Sequence, residues 1–405
     1  MPEHELTPAI RRALATVNDP EIRRPITDLG MVASVEVSDS TATIEVLLTI
    51  SGCPLKDTLT RDVTAAVRAV DGIDRVEVVL GVMSDQQRTE LRNLLQGDQQ
   101  GRDIPFAKPG SLTQVIAVAS GKGGVGKSSV TVNPAIALAG QGRSVGVLDA
   151  DIYGHSIPVM LGLADARPTS LEEMILPVPV QWLNDRLAGT TAGMKPRSAP
   201  TGSVKTISIG MLKPKRDQVV AWRGPILDRA LTQMLADVFW GDLDYLLLDL
   251  PPGTGDVAIS LGQNLPNAEV LVVTTPQQAA AEVAERAGTM ASMLNQRVIG
   301  VVENMSYLQV HCPSCGHDHR VDVFGFGGGE QVAGTLSTRL GYPVPLLAKV
   351  PLDPQVRVGG DRGEPVVSAD PDLPSARALI ELAYQLARRG PSLLGRSLGL
   401  DPVGR

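Results

Sequence analysis

The chain has 405 residues, more than a single hydrophobic core usually serves, so two domains are expected. Apolar residues make up 43% and charged residues 20%, ordinary for a globular protein, and a formal charge of −7 argues against a general nucleic-acid binder, whose surface is basic. No apolar run approaches the roughly 18 residues that cross a bilayer, and the N-terminal MPEHELTPAIRR lacks an export pattern, so the expected location is the cytoplasm and no membrane partner is expected.

From about residue 5 to 95 the pattern is that of a small α/β domain. A helix is expected near Ala9 to Val17. Ile44, Val46, Leu48 and Ile50 alternate as a half-buried strand does. Over 54–70 the apolar period changes, with Leu55, Leu59, Val63, Val67 and Val70 forming one stripe of an amphipathic helix. Val76, Val78 and Leu80 return to alternation. Residues 96–110 lose periodicity, gather Gly, Gln, Asp and Pro, and read as a linker. The expected organisation is a small α/β domain over 1–97, a linker over 98–111, a large domain over 112–390 and an irregular tail over 391–405.

In the large domain short apolar runs alternate with helical stretches: Val115–Val118, Val145–Leu148, Tyr245–Leu248, Val270–Val273, Val298–Val302 and Leu346–Val350. Such runs indicate a doubly wound parallel sheet covered on both faces, whose ligands bind at the carboxyl ends of the strands. Two features depart from regularity. Asn133-Pro134 falls inside an expected helix and predicts a kink, because proline removes a backbone donor. Residues 164–204 are irregular, with several prolines and glycines, and the small-polar stretch TTAGMKPRSAPTGS within them reads as a mobile surface loop.

Gly121-Lys122-Gly123-Gly124-Val125-Gly126-Lys127-Ser128 satisfies G-x-x-x-x-G-K-[ST] after a strand and before a helix. Glycines let backbone N–H groups turn inward around phosphate oxygens, and the helix N-terminus adds partial positive charge. Lys127 is expected to reach the β and γ phosphates, Ser128 to bind Mg2+, and Ser129 to complete the loop. Two strands end in carboxylates: Asp149 and Asp151 after one, Asp249 after the other. Their placement suits holding hydrated Mg2+ and orienting an attacking water. Asp249 opens D-L-P-P-G-T-G-D, whose Pro-Pro-Gly-Thr-Gly turn suits a switch sensing the γ-phosphate.

The second lysine, Lys122, gives the loop the form G-K-G-G-x-G-K-[ST]. That form resembles the deviant P-loop of the family that includes nitrogenase iron protein and the septum- and plasmid-positioning ATPases. The resemblance implies an ATP-dependent homodimer in which Lys122 crosses to the partner's nucleotide. It also implies that Asp151 orients the attacking water, with Asp149 in support. Glu303-Asn304-Met305-Ser306 follows another strand, and the resemblance implies that Asn304 bonds the adenine ring. No guanine-reading N-K-x-D stands there, so the expected nucleotide is ATP.

The chain has three cysteines, Cys53, Cys312 and Cys315, the last two forming C-x-x-C followed by Gly316-His317-Asp318-His319. An odd count with one close pair favours metal or redox chemistry over a disulfide framework. The pair supplies two of the four ligands that tetrahedral zinc or a cubane cluster requires. His317 and His319 could complete a zinc knuckle, a second subunit could supply its own pair, or the thiols could act as a redox dithiol. Solvated loop positions are the expectation for both histidines.

Trp222-Arg223-Gly224-Pro225, the D-L-P-P-G-T-G-D switch, E-N-M-S, C-P-x-C and Phe326-Gly327-Gly328-Gly329-Glu330 occur in the order seen in iron–sulfur cluster carriers of the Mrp/ApbC type, which the chain resembles over roughly 112–388. The resemblance implies an ATP-dependent [4Fe–4S] cluster carrier, with the cluster shared between two subunits through Cys312 and Cys315 and passed to apo iron–sulfur proteins, and with assembly factors as further partners. Slow ATP hydrolysis is expected because a carrier needs a conformational cycle more than flux. Asp19-Pro20-Glu21, Asp28-Leu29-Gly30 and Thr49 to Pro54 resemble the small domain of iron–sulfur assembly factors. Cys53, just before Pro54 at an expected helix start, would have its thiol pKa lowered there, which suggests a part in cluster transfer. The rivals are a membrane- or DNA-positioning ATPase with structural zinc, and an ATP-dependent reductase. Pro391, Pro402 and further glycines break the basic tail that a membrane-positioning ATPase would use.

Overall fold

The computed structural model describes residues 3–49, 55–96, 104–108, 110–151, 154–171, 174–183, 186, 202–212, 224–253 and 255–389. Cys53, Trp222 and Arg223, Thr254 of the switch turn, residues 187–201 of the irregular stretch, and the tail from 390 lie outside them. The chain divides into two units that are not successive in sequence. The first takes Met1–Asp103, Pro168–Pro179 and Asp237–Gly241; the second takes Ile104–Arg167, Val180–Ala236 and Asp242–Arg405.

In the first unit α1 (Glu3–Leu14) precedes β1 (Val32–Ser38), β2 (Thr41–Leu48), α2 (Lys56–Arg68), β3 (Arg75–Val82) and α3 (Asp85–Gln96). Asp39 and Ser40, both at positive φ, turn β1 back onto β2 as an antiparallel hairpin. β3 then pairs parallel to β2, with α2 as the crossover. Ala42, Ile44 and Val46 are buried from β2, and Leu59, Val63 and Val67 from α2, as their spacing predicts. β1 was not expected: four of its seven residues are half-buried, three are exposed and none is fully buried, which gives a weak apolar signal.

The returning segments add β6 (Thr169–Leu171), β7 (Met174–Leu176) and the two-residue β8 (Val178–Pro179). Leu171, Met174 and Leu176 join the core formed by Ile10, Leu14, Ile44 and Val63. Thr169 Oγ1 donates to Glu21 Oε1 at 2.9 Å. Glu21 is buried, and burial pushes its pKa up to about 7, helped by the Asp19 charge and opposed by the Thr169 hydroxyl. Asp19 in turn accepts from the backbone N–H groups of Glu21 and Ile22 at 3.0 and 2.8 Å.

The second unit is built on seven parallel strands: β4 (Gln114–Ser120), β5 (Ser144–Asp149), β9 (Ser203–Ser208), β10 (Tyr245–Asp249), β11 (Glu269–Thr274), β12 (Arg297–Glu303) and β15 (Leu346–Lys349). Their order, β15-β12-β11-β4-β10-β5-β9, reverses direction at β4, which places the ligand crevice beyond the end of that strand. The fold is therefore the doubly wound α/β P-loop architecture with a smaller N-terminal α/β domain. β9 escaped the sequence reading because Ser203, Lys205, Thr206 and Ser208 break its apolar run, yet all six of its residues are buried. Its hydroxyls are satisfied internally, with Thr206 Oγ1 donating to the Val147 carbonyl at 2.9 Å.

Helix α4 (Lys127–Gly140) follows β4 and continues through Pro134 as one helix. Asn133 braces that position, its Nδ2 donating to the Ser129 carbonyl at 3.0 Å and its Oδ1 accepting from Val367 N–H at 3.2 Å. The remaining helices are α5 (Ile157–Met160), α6 (Gly224–Ala236), α7 (Asp256–Asn264), α8 (Gln278–Met293), α9 (Gly328–Leu340), α10 (Pro354–Arg362), α11 (Val366–Ala369) and α12 (Pro374–Arg388). Among the described residues no helix is long and apolar enough to cross a membrane.

The folded chain holds the Glu21 proton up to about pH 7, whereas the unfolded chain releases it near 4.5. Stability from this group is complete below the lower value and lost as pH rises through the upper one. Glu21→Gln should therefore gain on wild type between about pH 5 and about pH 8, by on the order of 2 kcal/mol. Thermal unfolding at the two pH values checks this; a pH-independent difference would contradict it.

Candidate functional site

The loop between Ser120 and Lys127 is glycine-rich for three separate reasons. A Cβ at Gly121 would lie 2.3 Å from the backbone of Val283 in α8, and one at Gly126 would lie 2.1 Å from Asn304 Nδ2. Gly124 meets nothing but holds a φ of +78°, as Gly126 does. Lys122, Gly123, Gly124, Val125, Gly126, Lys127, Ser128 and Ser129 line a cavity of about 710 Å³, opposite Asp151, Pro251 and Pro252. The cavity sits at the N-terminus of α4, where free N–H groups favour an anion. Lys122 reaches sideways, its Nζ donating to Gln277 Oε1 at 2.7 Å.

Behind the loop the carboxylates converge. Asp249 is fully buried and accepts three donors from α4: Lys127 Nζ at 2.7 Å, Ser128 Oγ at 2.6 Å and Thr131 Oγ1 at 3.0 Å. Thr131 was not singled out from the sequence, although its place one turn after Lys127 puts both on one face of the helix. Asp149 lies directly opposite Asp249 in the β5–β10 register. Its carboxyl accepts from Ser208 Oγ at 3.0 Å and from Asp151 N–H at 3.1 Å. Burial, then the charge of Asp249, pushes the Asp149 pKa up to about 8, against the Ser208 hydrogen bond. Asp151 stands 4.0 Å from Lys127 Nζ and accepts from Gly154 N–H at 3.0 Å. One hydroxyl and three carboxylates around a single lysine form the hard oxygen donor set that suits Mg2+, and a divalent cation would relieve the repulsion between Asp149 and Asp249.

Two adjacent residues at the end of β12 face different tasks. Asn304 is buried, and its Nδ2 donates to the Val125 carbonyl of the phosphate loop at 2.9 Å. Glu303, also buried, accepts from Ser306 Oγ at 2.5 Å through one oxygen and from Gly329 N–H at 2.7 Å through the other. Ser306 and Gly329 are the entry and exit of the excursion that carries the cysteines. The F-G-G-G-E run is explained here. A Cβ at Gly328 would lie 2.5 Å from the Pro276 carbonyl, and one at Gly329 would lie 2.7 Å from Glu303 Cβ.

The excursion is a two-stranded ribbon, β13 (Leu308–His311) and β14 (Asp318–Val321), with Cys312 and Cys315 in its turn. Gly316 at φ +68° lets its N–H donate to the Cys312 carbonyl at 2.9 Å. Backbone N–H groups of Cys315 and Ser314 directed at the Cys312 sulfur hold that thiol below its usual range. Cys315 is exposed and Cys312 half-exposed. His319 is exposed but is no bystander: its Nε2 lies 3.1 Å from Cys315 Sγ. The spacing alone did not select His319 over His317.

Residues 111–387 match the family described as NUBPL iron-transfer P-loop NTPase, and residues 7–80 match the iron–sulfur cluster assembly protein family. An iron–sulfur cluster carrier protein of Mycobacterium tuberculosis is 54% identical over 402 residues, 99% of this chain and 98% of its own length. Another, from Synechocystis, is 38% identical over 382 residues, 94% and 97% of the two chains. Among solved structures, a nucleotide-binding protein of Archaeoglobus fulgidus in complex with ADP is 33% identical, covering 69% of this chain and 91% of that one, with a TM-score of 0.47.

Alanine at Gly124 or Gly126 meets the same left-handed backbone penalty, about 1 kcal/mol. Gly126→Ala must also displace the Asn304 amide from Val125, a buried hydrogen bond whose loss costs about 1–3 kcal/mol. Urea unfolding should therefore find Gly126→Ala the less stable by about that second amount; equal losses would contradict the contact.

Proposed function

The chain belongs to the iron–sulfur cluster carrier family of P-loop NTPases, and on that footing we propose that it is an ATP-hydrolysing homodimer that carries a [4Fe–4S] cluster and transfers it to apo-proteins in the cytoplasm. The observation that carries this reading is the Glu303-Asn304 step. One side chain holds the phosphate loop and its neighbour holds both legs of the cysteine ribbon.

In this reading the backbone of Gly121–Gly126 and the N-terminus of α4 bind the phosphates of ATP. Lys127 neutralises their charge. Ser128 and Asp249 hold Mg2+, supported by Asp149, and the ion supplies charge stabilisation for phosphoryl transfer. Asp151 orients the attacking water. Lys122 is released from Gln277 to reach the nucleotide of the second chain. Asn304 favours adenine; with Nδ2 engaged by Val125, the amino group of the base falls to Oδ1. Cys312 and Cys315 are the cluster ligands, and the lowered Cys312 thiol favours the thiolate that binds iron. Cys53, outside the described residues, is assigned a part in handing the cluster on. Hydrolysis is slow, because a carrier needs a conformational cycle more than flux.

Lys127→Ala should cut ATP hydrolysis by at least about a hundredfold, and Lys122→Ala should abolish ATP-dependent dimer formation together with hydrolysis. Reconstituted wild type should restore activity to an apo [4Fe–4S] enzyme under anaerobic conditions. A Lys122→Ala protein that dimerises and hydrolyses ATP normally, or an acceptor activated equally by Cys312→Ala, would sink the proposal.

A further inference from the structure

The cysteine ribbon carries a second ligand set of its own. β13 and β14 pair Val310 with His319 and His311 with Asp318. Residues 310, 312 and 319 therefore face one side of the ribbon and residues 309, 311, 318 and 320 the other. The latter side is occupied by its own contacts. Gln309 and His311 both bond Asp318, at 2.9 and 3.0 Å, and the Arg320 guanidinium lies 4.3 Å from the Tyr307 ring centre. On the former side the ligand atoms of Cys312, Cys315 and His319 all lie within 4.8 Å of one another. Tetrahedral zinc, with Zn–S about 2.3 Å and Zn–N about 2.0 Å, keeps its ligand atoms about 3.5 Å apart. Small side-chain rotations bring the three onto one ion. The turn is already shaped for it, with Cys312 N–H donating to the His317 carbonyl and Gly316 N–H to the Cys312 carbonyl, both at 2.9 Å.

We propose that a single chain binds one zinc-class divalent ion through Cys312, Cys315 and His319, with a solvent-facing fourth position, and that this ion excludes the cluster from the same two cysteines. Binding transfers the thiol protons to solvent, and neutral imidazole donates its Nε2 lone pair; no oxidation state changes. The competition rests on the cluster reading above, whereas the ion site does not. His319 is what distinguishes the two states. A cluster bridging two chains takes a thiolate pair from each and has no use for imidazole. An ion held by two thiolates alone lacks its third protein ligand.

The test uses the full-length protein with cobalt(II) as probe. His319→Ala and His317→Ala both alter exposed residues and leave the core intact. Wild type should bind one cobalt per chain with the thiolate-to-metal absorption of a tetrahedral site. His319→Ala should bind at least about tenfold more weakly, and His317→Ala as wild type does. Added zinc should block anaerobic cluster assembly on wild type and not on His319→Ala. Unchanged cobalt affinity in His319→Ala, or no cobalt uptake by wild type, would overturn the ion site. Zinc blocking both proteins equally would overturn the role of His319 in the competition. Cobalt binding as expected, with no cluster formed by wild type in the absence of zinc, would overturn the cluster reading instead and leave the ion site standing.

Discussion

A carboxylate at the end of the central sheet, Asp249, decides how the nucleotide site is organised. It is fully buried on a strand with neighbours on both sides, and an uncompensated charge there would cost several kcal/mol. Lys127, Ser128 and Thr131 compensate it, and all three come from the first turns of α4. One electrostatic requirement thus draws together the helix that ends the phosphate loop and the strand that carries Asp249. Asp149, facing Asp249 across the register, accepts from Ser208 Oγ and Asp151 N–H, and burial together with the Asp249 charge raises its pKa.

Glu303 and Asn304 extend that organisation to the cysteines. Parallel strands deliver their chemistry at one end of a sheet, and β12 delivers two consecutive side chains there. Asn304 packs so closely against the phosphate loop that only glycine fits at 126. Glu303 ties Ser306 to Gly329 and so closes the base of the ribbon like a clasp. One peptide bond separates the contact with the phosphate loop from the contact with the cysteine excursion. A shift of the loop on nucleotide binding would bear on the ribbon through rigid, buried groups, the kind of contiguous element that coupling between sites requires.

The phosphate loop was legible in the sequence because backbone geometry admits so few residues there. Gly121, Gly124 and Gly126 are each required by a distinct crowding or dihedral constraint. The strands beside it were legible as apolar runs because both faces of a parallel sheet are covered. β9 was hidden because its serines and threonine are buried polar groups, satisfied by neighbours that a linear reading does not supply. Thr131 and Ser208 were missed for the same reason, since their partner aspartates lie 118 and 59 residues away. His319 required the ribbon's register, which pairs it with Val310 and turns it toward the cysteine side. The segments 168–179 and 237–241, which join the first unit, carried no sequence signal that they would leave the domain flanking them.

The central claim is that Cys312 and Cys315 hold a cluster between two chains. Anaerobic iron–sulfur reconstitution of wild type, Cys312→Ala and Cys315→Ala, followed by absorption spectroscopy with iron and sulfide analysis, tests it most directly. The account predicts about four irons and about four sulfides per two chains in wild type, and none in either variant. A cluster retained in either variant, or none in wild type, would contradict it.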